Sequence, residues 1–313
     1  KKSLTNFISF NKAETLKQLF KIFLLYSIIT FLIFIILNFC NIRVFNSLNL
    51  AMTIISSGGF LPTNNLSNIL INNGQILIFS FLLLTSFFSI FLSYNLIFFK
   101  NRNINFLNED IHLLFYILTL LFIFFIFLNN ENNFIELILA LFSSVSNIGF
   151  SLNNNSTNLS FVFLILVIIG GSFFSTSSGI RFLKIYSLFK YSINEILSYS
   201  KPKNIYINKH LFSKDFFQLN EIYKYFLSII VFIISFLFLS FLLTLNGIEF
   251  ESSFKLSILA LMNTVNSSMY GLSDFSFYDQ HFLTKFYLIL FMIIGRVELL
   301  TLLIISKKFL FKN

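Results

Sequence analysis

Charge is scarce in this chain: 11% of its 313 residues are Asp, Glu, Lys or Arg, and acidic residues number 13 against 22 basic ones. A soluble globular surface cannot be built from so few charges. Cysteine is represented by Cys40 alone, which excludes an internal disulfide and fits a reducing or disulfide-indifferent setting. Histidine is equally thin, and His112, His210 and His281 stand on different loops and span ends, so no metal centre or proton relay is indicated. No glycine loop of the phosphate-cradling kind and no suggestive Ser, His and Asp set is present, which argues against nucleotide-driven transport by this chain and against catalysis. Glycine occurs only ten times, so any regularity in its placement carries information.

What is abundant is apolar surface. Hydrophobic residues make up 56% of the chain, 48 residues are Phe, and the mean hydropathy is +0.83. About 20 apolar residues are needed to cross roughly 30 Å of hydrocarbon, and six segments qualify: 19–40, 75–99, 111–129, 160–190, 222–246 and 283–306. The first is too long, and lacks a small-residue cleavage site, to be a removable signal. The fold class expected is therefore all-α, a polytopic membrane protein whose Phe residues fill the core and face lipid. Lys1 stands where an initiator Met would, so further residues are expected upstream.

Basic residues collect before the first span (Lys12, Lys17, Lys21), after the second (Lys100, Arg102), between the fourth and fifth (Arg181 to Lys224) and after the last (Lys307, Lys308, Lys312). The positive-inside rule makes these faces cytoplasmic, with both ends of the chain on that side. Topology and anionic lipid account for the net charge of +9 without nucleic acid as a partner.

Between spans one and two, three and four, and five and six lies an apolar segment too short to cross: Phe45–Ser56, Phe134–Ser146 and Phe254–Asn266. Segments of that length are re-entrant or interfacial. Each leads to a glycine site on the non-cytoplasmic side: S-S-G-G-F (Ser56 to Phe60), S-N-I-G-F (Ser146 to Phe150) and S-M-Y-G-L (Ser268 to Leu272). A half-helix aims the negative end of its dipole at a cation, and glycine frees the following backbone so that carbonyls can face one axis. Three such sites in register point to an ion path; a simple turn at each glycine is the alternative that spacing leaves open.

The fourth span is interrupted by Gly170, Gly171, Ser172, Ser175, Thr176, Ser177, Ser178 and Gly179. Small polar residues let a helix unwind and supply hydroxyls where backbone bonds are lost, although close helix packing also uses them. Arg296 and Glu298 lie within the sixth span. A charge there costs about 2.5–3.5 kcal/mol on insertion scales and marks a candidate functional residue. Residues two apart do not face each other on a helix, so Arg296 is expected to reach carbonyls or hydroxyls of the 170–179 loop.

These residues resemble the Trk/Ktr/HKT superfamily of potassium transporters, specifically its bacterial pore-forming subunit. G-G-F at Gly58 to Phe60, I-G-F at Ile148 to Phe150 and V-N-S-S-M-Y-G-L-S at Val265 to Ser273 are similar to the filters of that family's second, third and fourth repeats. G-G-S-F-F-S-T-S-S-G-I-R (Gly170 to Arg181) resembles the interruption of its third inner helix, with Phe173, Phe174, Ser177 and Ser178 where smaller residues are usual. G-R-V-E-L (Gly295 to Leu299) resembles a segment of its fourth inner helix. The resemblance implies pore repeats at 1–100, 101–195 and 222–313, joined by a cytoplasmic linker at 196–221. It further implies potassium as the transported ion, with no cofactor, in the bacterial inner membrane. Filter carbonyls would come from Ser56, Ser57, Gly58 and Gly59, from Asn147, Ile148 and Gly149, and from Met269, Tyr270 and Gly271. The gate would be the 170–179 loop with Arg296. A homodimer and a cytoplasmic RCK-type nucleotide-binding regulatory subunit are the partners implied. The family's first repeat would lie upstream of Lys1, and three strands do not close a fourfold filter. Sodium passage in plant relatives accompanies serine at a filter glycine, and none of the three aligned glycines is replaced. A transporter passing sodium as well, or a non-conducting accessory membrane protein lacking the first repeat, are the alternatives.

Overall fold

A computed structural model describes residues 12–63, 65–89, 106–128, 134–152, 157–173, 175–199, 219–264, 268–272, 275 and 277–296. Much of the expected 196–221 linker, Asn64, Asn153 to Asn155, Phe174, Glu298 and the ends of the second and sixth spans fall outside these residues.

The described chain is helical throughout, with one two-residue strand pair. Its helices are α1 (Lys12–Phe39), α2 (Val44–Ser56), α3 (Asn73–Leu83), α4 (Phe106–Leu128), α5 (Phe134–Val145), α6 (Thr157–Ile168), α7 (Phe182–Ser198), α8 (Leu219–Leu245), α9 (Phe250–Leu261) and α10 (Phe282–Arg296). Three of them contain stretches long and apolar enough to cross a membrane: Phe20–Phe39, Glu109–Ile126 and Glu221–Leu245. Each such helix is followed by a half-helix of 12 or 13 residues, and the half-helix by a further helix.

The first and third units copy each other in backbone detail where the half-helix begins. After α1 the chain turns through Asn41 (φ 60°), and after α8 through Gly247 (φ 88°). In both turns the next amide bonds back across the helix end, Ile42 to Leu37 and Ile248 to Leu243. The half-helices then start at Val44 and Phe250 behind residues of extended ψ, Arg43 and Glu249. Glu136 and Glu251 occupy first turns, where an acid complements the helix dipole. Asn72 and Gln75 form a reciprocal cap that starts α3, and Gln75 Nε2 also donates to the Cys40 carbonyl at 2.8 Å.

Packing follows the same rule in each unit. Every half-helix lies on its own long helix, α2 on α1, α5 on α4 and α9 on α8. The helix that closes one unit lies on the half-helix of the next, α3 on α5 and α6 on α9. The core so formed contains Leu50, Ile54, Phe79, Leu83, Leu139, Phe142, Phe163 and Leu259. Phe23, Phe31, Phe122 and Phe238 remain exposed on the long helices, as lipid-facing surfaces require.

Two expectations are revised. The third half-helix spans Phe250–Leu261 rather than Phe254–Asn266, because its start is set by the turn after α8. The second span is not continuous: α3 tightens into a 3₁₀ turn at Leu84–Ser86. There Thr85 and Ser86 hydroxyls donate back to Leu82 and Leu83 carbonyls at 2.7 and 2.8 Å, a competition with the helical ladder that bends helices.

Gly295 of α10 sits directly on the end of α9, where an added Cβ would collide with the Leu261 carbonyl. Gly295→Val is expected to destabilise the protein by about 1–3 kcal/mol, the usual range for overpacking. Thermal unfolding in detergent checks this, with Gly74→Val, which has open space around it, as the control.

Candidate functional site

Thirteen residues after Val44, Phe134 and Phe250 stand Ser57, Asn147 and Asn263, each with a left-handed backbone (φ 51°, 61° and 54°). Each closes its half-helix with the same pair of bonds. Ser57, Asn147 and Asn263 amides reach the carbonyls of Ile54, Ser144 and Ala260. The following amides, of Gly58, Ile148 and Thr264, reach Thr53, Ser143 and Leu259 at 3.0 Å each. This pairing is the Schellman arrangement, which satisfies carbonyls at a helix end and reverses the chain. In the first two units the chain returns to positive φ two residues later, at Gly59 (72°) and Gly149 (81°). Alternation of left-handed residues turns successive carbonyls toward one side, and glycine adopts it without a Cβ penalty.

In the third unit Met269, Tyr270 and Gly271 stand apart from the end of the half-helix. Its counterpart of Ser57–Gly58 and Asn147–Ile148 is Asn263–Thr264, and the sequence position of Gly59 and Gly149 holds Val265, which lies outside the described residues. Val is rarely tolerated at positive φ. Met269 and Tyr270 form a buried 3₁₀ turn packed on α6, and Gly271 is exposed with φ 75°. Measured from the starts the structure gives the half-helices, Gly59 and Gly149 lie fifteen residues on and Gly271 twenty-one. Ser56 belongs to the last turn of α2, its hydroxyl donating to Met52 O at 2.9 Å.

Beneath these strands the α6–α7 interruption folds back as a tight loop. Its ends meet as two parallel strands, β1 (Ile169–Gly170) and β2 (Ile180–Arg181). Gly170 and Gly179 let the backbones touch, since a Cβ on Gly179 would come 2.8 Å from Gly170 N. Gly171 lies against the Phe87 carbonyl in the same way. Loop amides then bond to the break in the first unit: Ser172 to Phe87 O at 3.1 Å, Thr176 and Ser177 to Ser86 O at 3.2 Å. Inside the loop the Ser177 hydroxyl accepts from Gly171 N at 2.9 Å and lies 3.0 Å from that of Ser175.

Charged side chains add to the loop's hydrogen bonding. Arg181 Nη1 lies within 3.2 Å of the Ser172, Ser175 and Ser177 carbonyls and 3.0 Å from Ser175 Oγ. Glu109, fully buried at the start of α4, accepts from the Phe173 amide at 3.1 Å. Its neighbour Asp110 accepts from Ser89 N, at the first unit's break, at 3.1 Å. Arg296 Nη1 donates to Thr176 O at 3.3 Å and to Ser178 Oγ at 3.0 Å. Thr176 is the tip: its hydroxyl lies 3.4 Å from that of Ser57 and 3.3 Å from Ser86 O. One loop residue thereby touches the first strand, the first unit's break and the third unit's arginine.

Sequence reasoning brings the 170–179 residues and Arg296 together. It misses Ser86, Glu109 and Asp110, and it takes Arg181 as a topological charge and the end of the 170–181 motif, not as a donor to the loop. Two adjacent acids at the head of an apolar helix were the available signal for Glu109 and Asp110.

No protein-family model and no curated protein sequence matches the chain. Among solved structures it is similar to the crystal structure of the potassium transporter TrkH from Vibrio parahaemolyticus, with a TM-score of 0.76 at 20% identity. The match covers 94% of this chain, which spans 64% of that protein's length. The fold is thus that of a TrkH-like helical membrane protein.

Glu109→Leu keeps the bulk and removes the acceptor for Phe173 N. A buried donor left without a partner costs about 1–3 kcal/mol, so faster hydrogen exchange at residues 171–178 is expected while α1 and α8 stay protected. Glu109→Gln, which retains an acceptor oxygen, is expected to stay near the wild type.

Proposed function

We propose that this chain is the pore-forming part of a potassium uptake system of the bacterial inner membrane. The observation that carries the reading is the threefold recurrence of long helix, half-helix and left-handed Schellman end, within a fold shared with a potassium transporter. The half-helices aim their C-terminal dipole ends at the strands. Carbonyls of Ser57, Gly58 and Gly59, of Asn147, Ile148 and Gly149, and of the segment opened by Asn263 and Thr264 replace the ion's water shell. Uptake runs down the membrane potential, about 2.3 kcal/mol per charge per 100 mV.

The 170–179 loop is the gate. Thr176 abuts Ser57, so the loop stands at the inner mouth of the strands and must move for an ion to leave. Arg296 holds the closed loop through Thr176 and Ser178 and adds a fixed positive charge that opposes a cation there. Arg296 is an exposed residue, which at membrane depth requires a water-filled cavity. The chain's ends face the cytoplasm, the protein works as a homodimer in lipid, and a cytoplasmic RCK-type nucleotide-binding subunit moves the loop.

Sodium passage alongside potassium is the second reading, favoured by the non-glycine residue in the third strand's register.

Rescue of potassium-limited growth by the full-length protein, in a strain lacking potassium uptake, is the test. Gly149→Asp is expected to abolish rescue. Arg296→Ala is expected to raise potassium flux severalfold, since it removes both the tether and the charge. Rescue that survives Gly149→Asp would remove Gly149 from the ion path, and matched sodium and potassium fluxes would select the second reading.

A further inference from the structure

Hydroxyls on two half-helices reach across to the strands that follow them. Thr53 Oγ1 donates to the Phe60 carbonyl at 2.8 Å. Ser143, at the equivalent position of the second half-helix, accepts from the Phe150 amide through its Oγ. Phe60 and Phe150 are equivalent too, each three residues beyond the left-handed residue that ends its half-helix. Both residues are buried, Thr53 at 6% exposure and Ser143 at 0%. The third half-helix has Leu259 at this position, a side chain with no hydroxyl to offer.

We infer that Thr53 and Ser143 are positioning residues that fix the spacing of the first two strands and so set ion discrimination. The inference rests on the transport reading above. Each strand is pinned twice by one helix residue. The Thr53 carbonyl takes the Gly58 amide and its hydroxyl takes the Phe60 carbonyl. Likewise the Ser143 carbonyl takes the Ile148 amide, and its hydroxyl takes the Phe150 amide. Between the two pins lies the left-handed glycine, Gly59 or Gly149, the residue whose dihedrals are least restrained by its own chemistry. The hydroxyl pin turns the Phe60 carbonyl toward the helix, so the carbonyls free to face an ion stop at Gly59. Phe150 is buried against Phe79, ring centroids 6.0 Å apart, which anchors the far end of the second strand in the core. The third half-helix has Leu259 where the hydroxyl stands in the others, and the sequence has Val265 at the register of Gly59 and Gly149, so both devices belong to the first two units. Thr53 and Ser143 touch no ion; they act through Gly59 and Gly149.

The test is the ratio of potassium to sodium flux through the full-length protein, with the amount inserted in the membrane measured alongside. Thr53→Val is isosteric and Ser143→Ala removes one oxygen atom. Each is expected to lower the ratio roughly tenfold, as the loss of one buried hydrogen bond can, with potassium flux itself kept. Thr53→Ser is expected to restore the ratio, which a merely volumetric role would not predict. Variants that conduct with the wild-type ratio overturn the inference, as does a Thr53→Ser protein no better than Thr53→Val. Should Thr53→Val be lost from the membrane, Ser143→Ala decides by the same criterion. A wild-type protein without potassium flux overturns the transport reading itself, an outcome distinct from either of these.

Discussion

Irregular backbone inside a membrane is the constraint on which this molecule turns. Between Ile168 and Phe182 the chain leaves the helical ladder, and each amide or carbonyl freed there costs several kcal/mol in hydrocarbon if it stays unpaired. The protein meets this demand from four directions. Ser86 and Phe87 carbonyls, themselves freed by a break in the first unit, accept loop amides; Arg181 donates to loop carbonyls; Glu109 takes the Phe173 amide; and Arg296 takes up Thr176 O. Two interruptions in different helices therefore satisfy each other. Neither α3 nor α6 can be treated as an independently broken helix.

That mutual satisfaction makes the loop a junction between units. Thr176 alone connects the first strand through Ser57, the first break through Ser86 and the third unit through Arg296. On the transport reading, a regulator that shifts α7 pulls on the loop through β2, and the loop cannot shift without releasing bonds to all three partners. A half-satisfied set of buried polar bonds is the costly one, so on that reading the loop switches between two discrete arrangements.

The three units share a backbone and differ in what they hang on it. Hydroxyls at Thr53 and Ser143, left-handed glycines at Gly59 and Gly149, and two-strand pinning belong to the first and second. The third has Leu259 in place of the hydroxyl and Val265 in place of the glycine. Backbone symmetry comes from the Schellman ends of the half-helices, which ask only for a residue tolerant of φ near +55°; Ser, Asn and Asn serve there. Chemical symmetry was not required by that geometry, and it is incomplete.

Apolar runs of helical length, the positive-inside bias and the short segments between spans made the all-α membrane class legible from residues alone, since hydrocarbon thickness and backbone pairing leave few alternatives. The glycine sites at Gly59 and Gly149, the interruption at 170–179 and the outlier Arg296 were legible for the same reason: each breaks a local rule that a lipid-embedded helix otherwise keeps. In the third unit a glycine marker points to Gly271, whereas the half-helix end, through the Leu259 and Ala260 carbonyls, stands at Asn263. Ser86, Glu109 and Arg181 were invisible as partners of the loop. Their bonds to it join residues from 4 to 90 positions apart, and no local periodicity encodes which freed carbonyl a distant amide will meet. Sequence determined what must be buried and where the helices yield; only the tertiary structure decided which groups satisfy one another once they do.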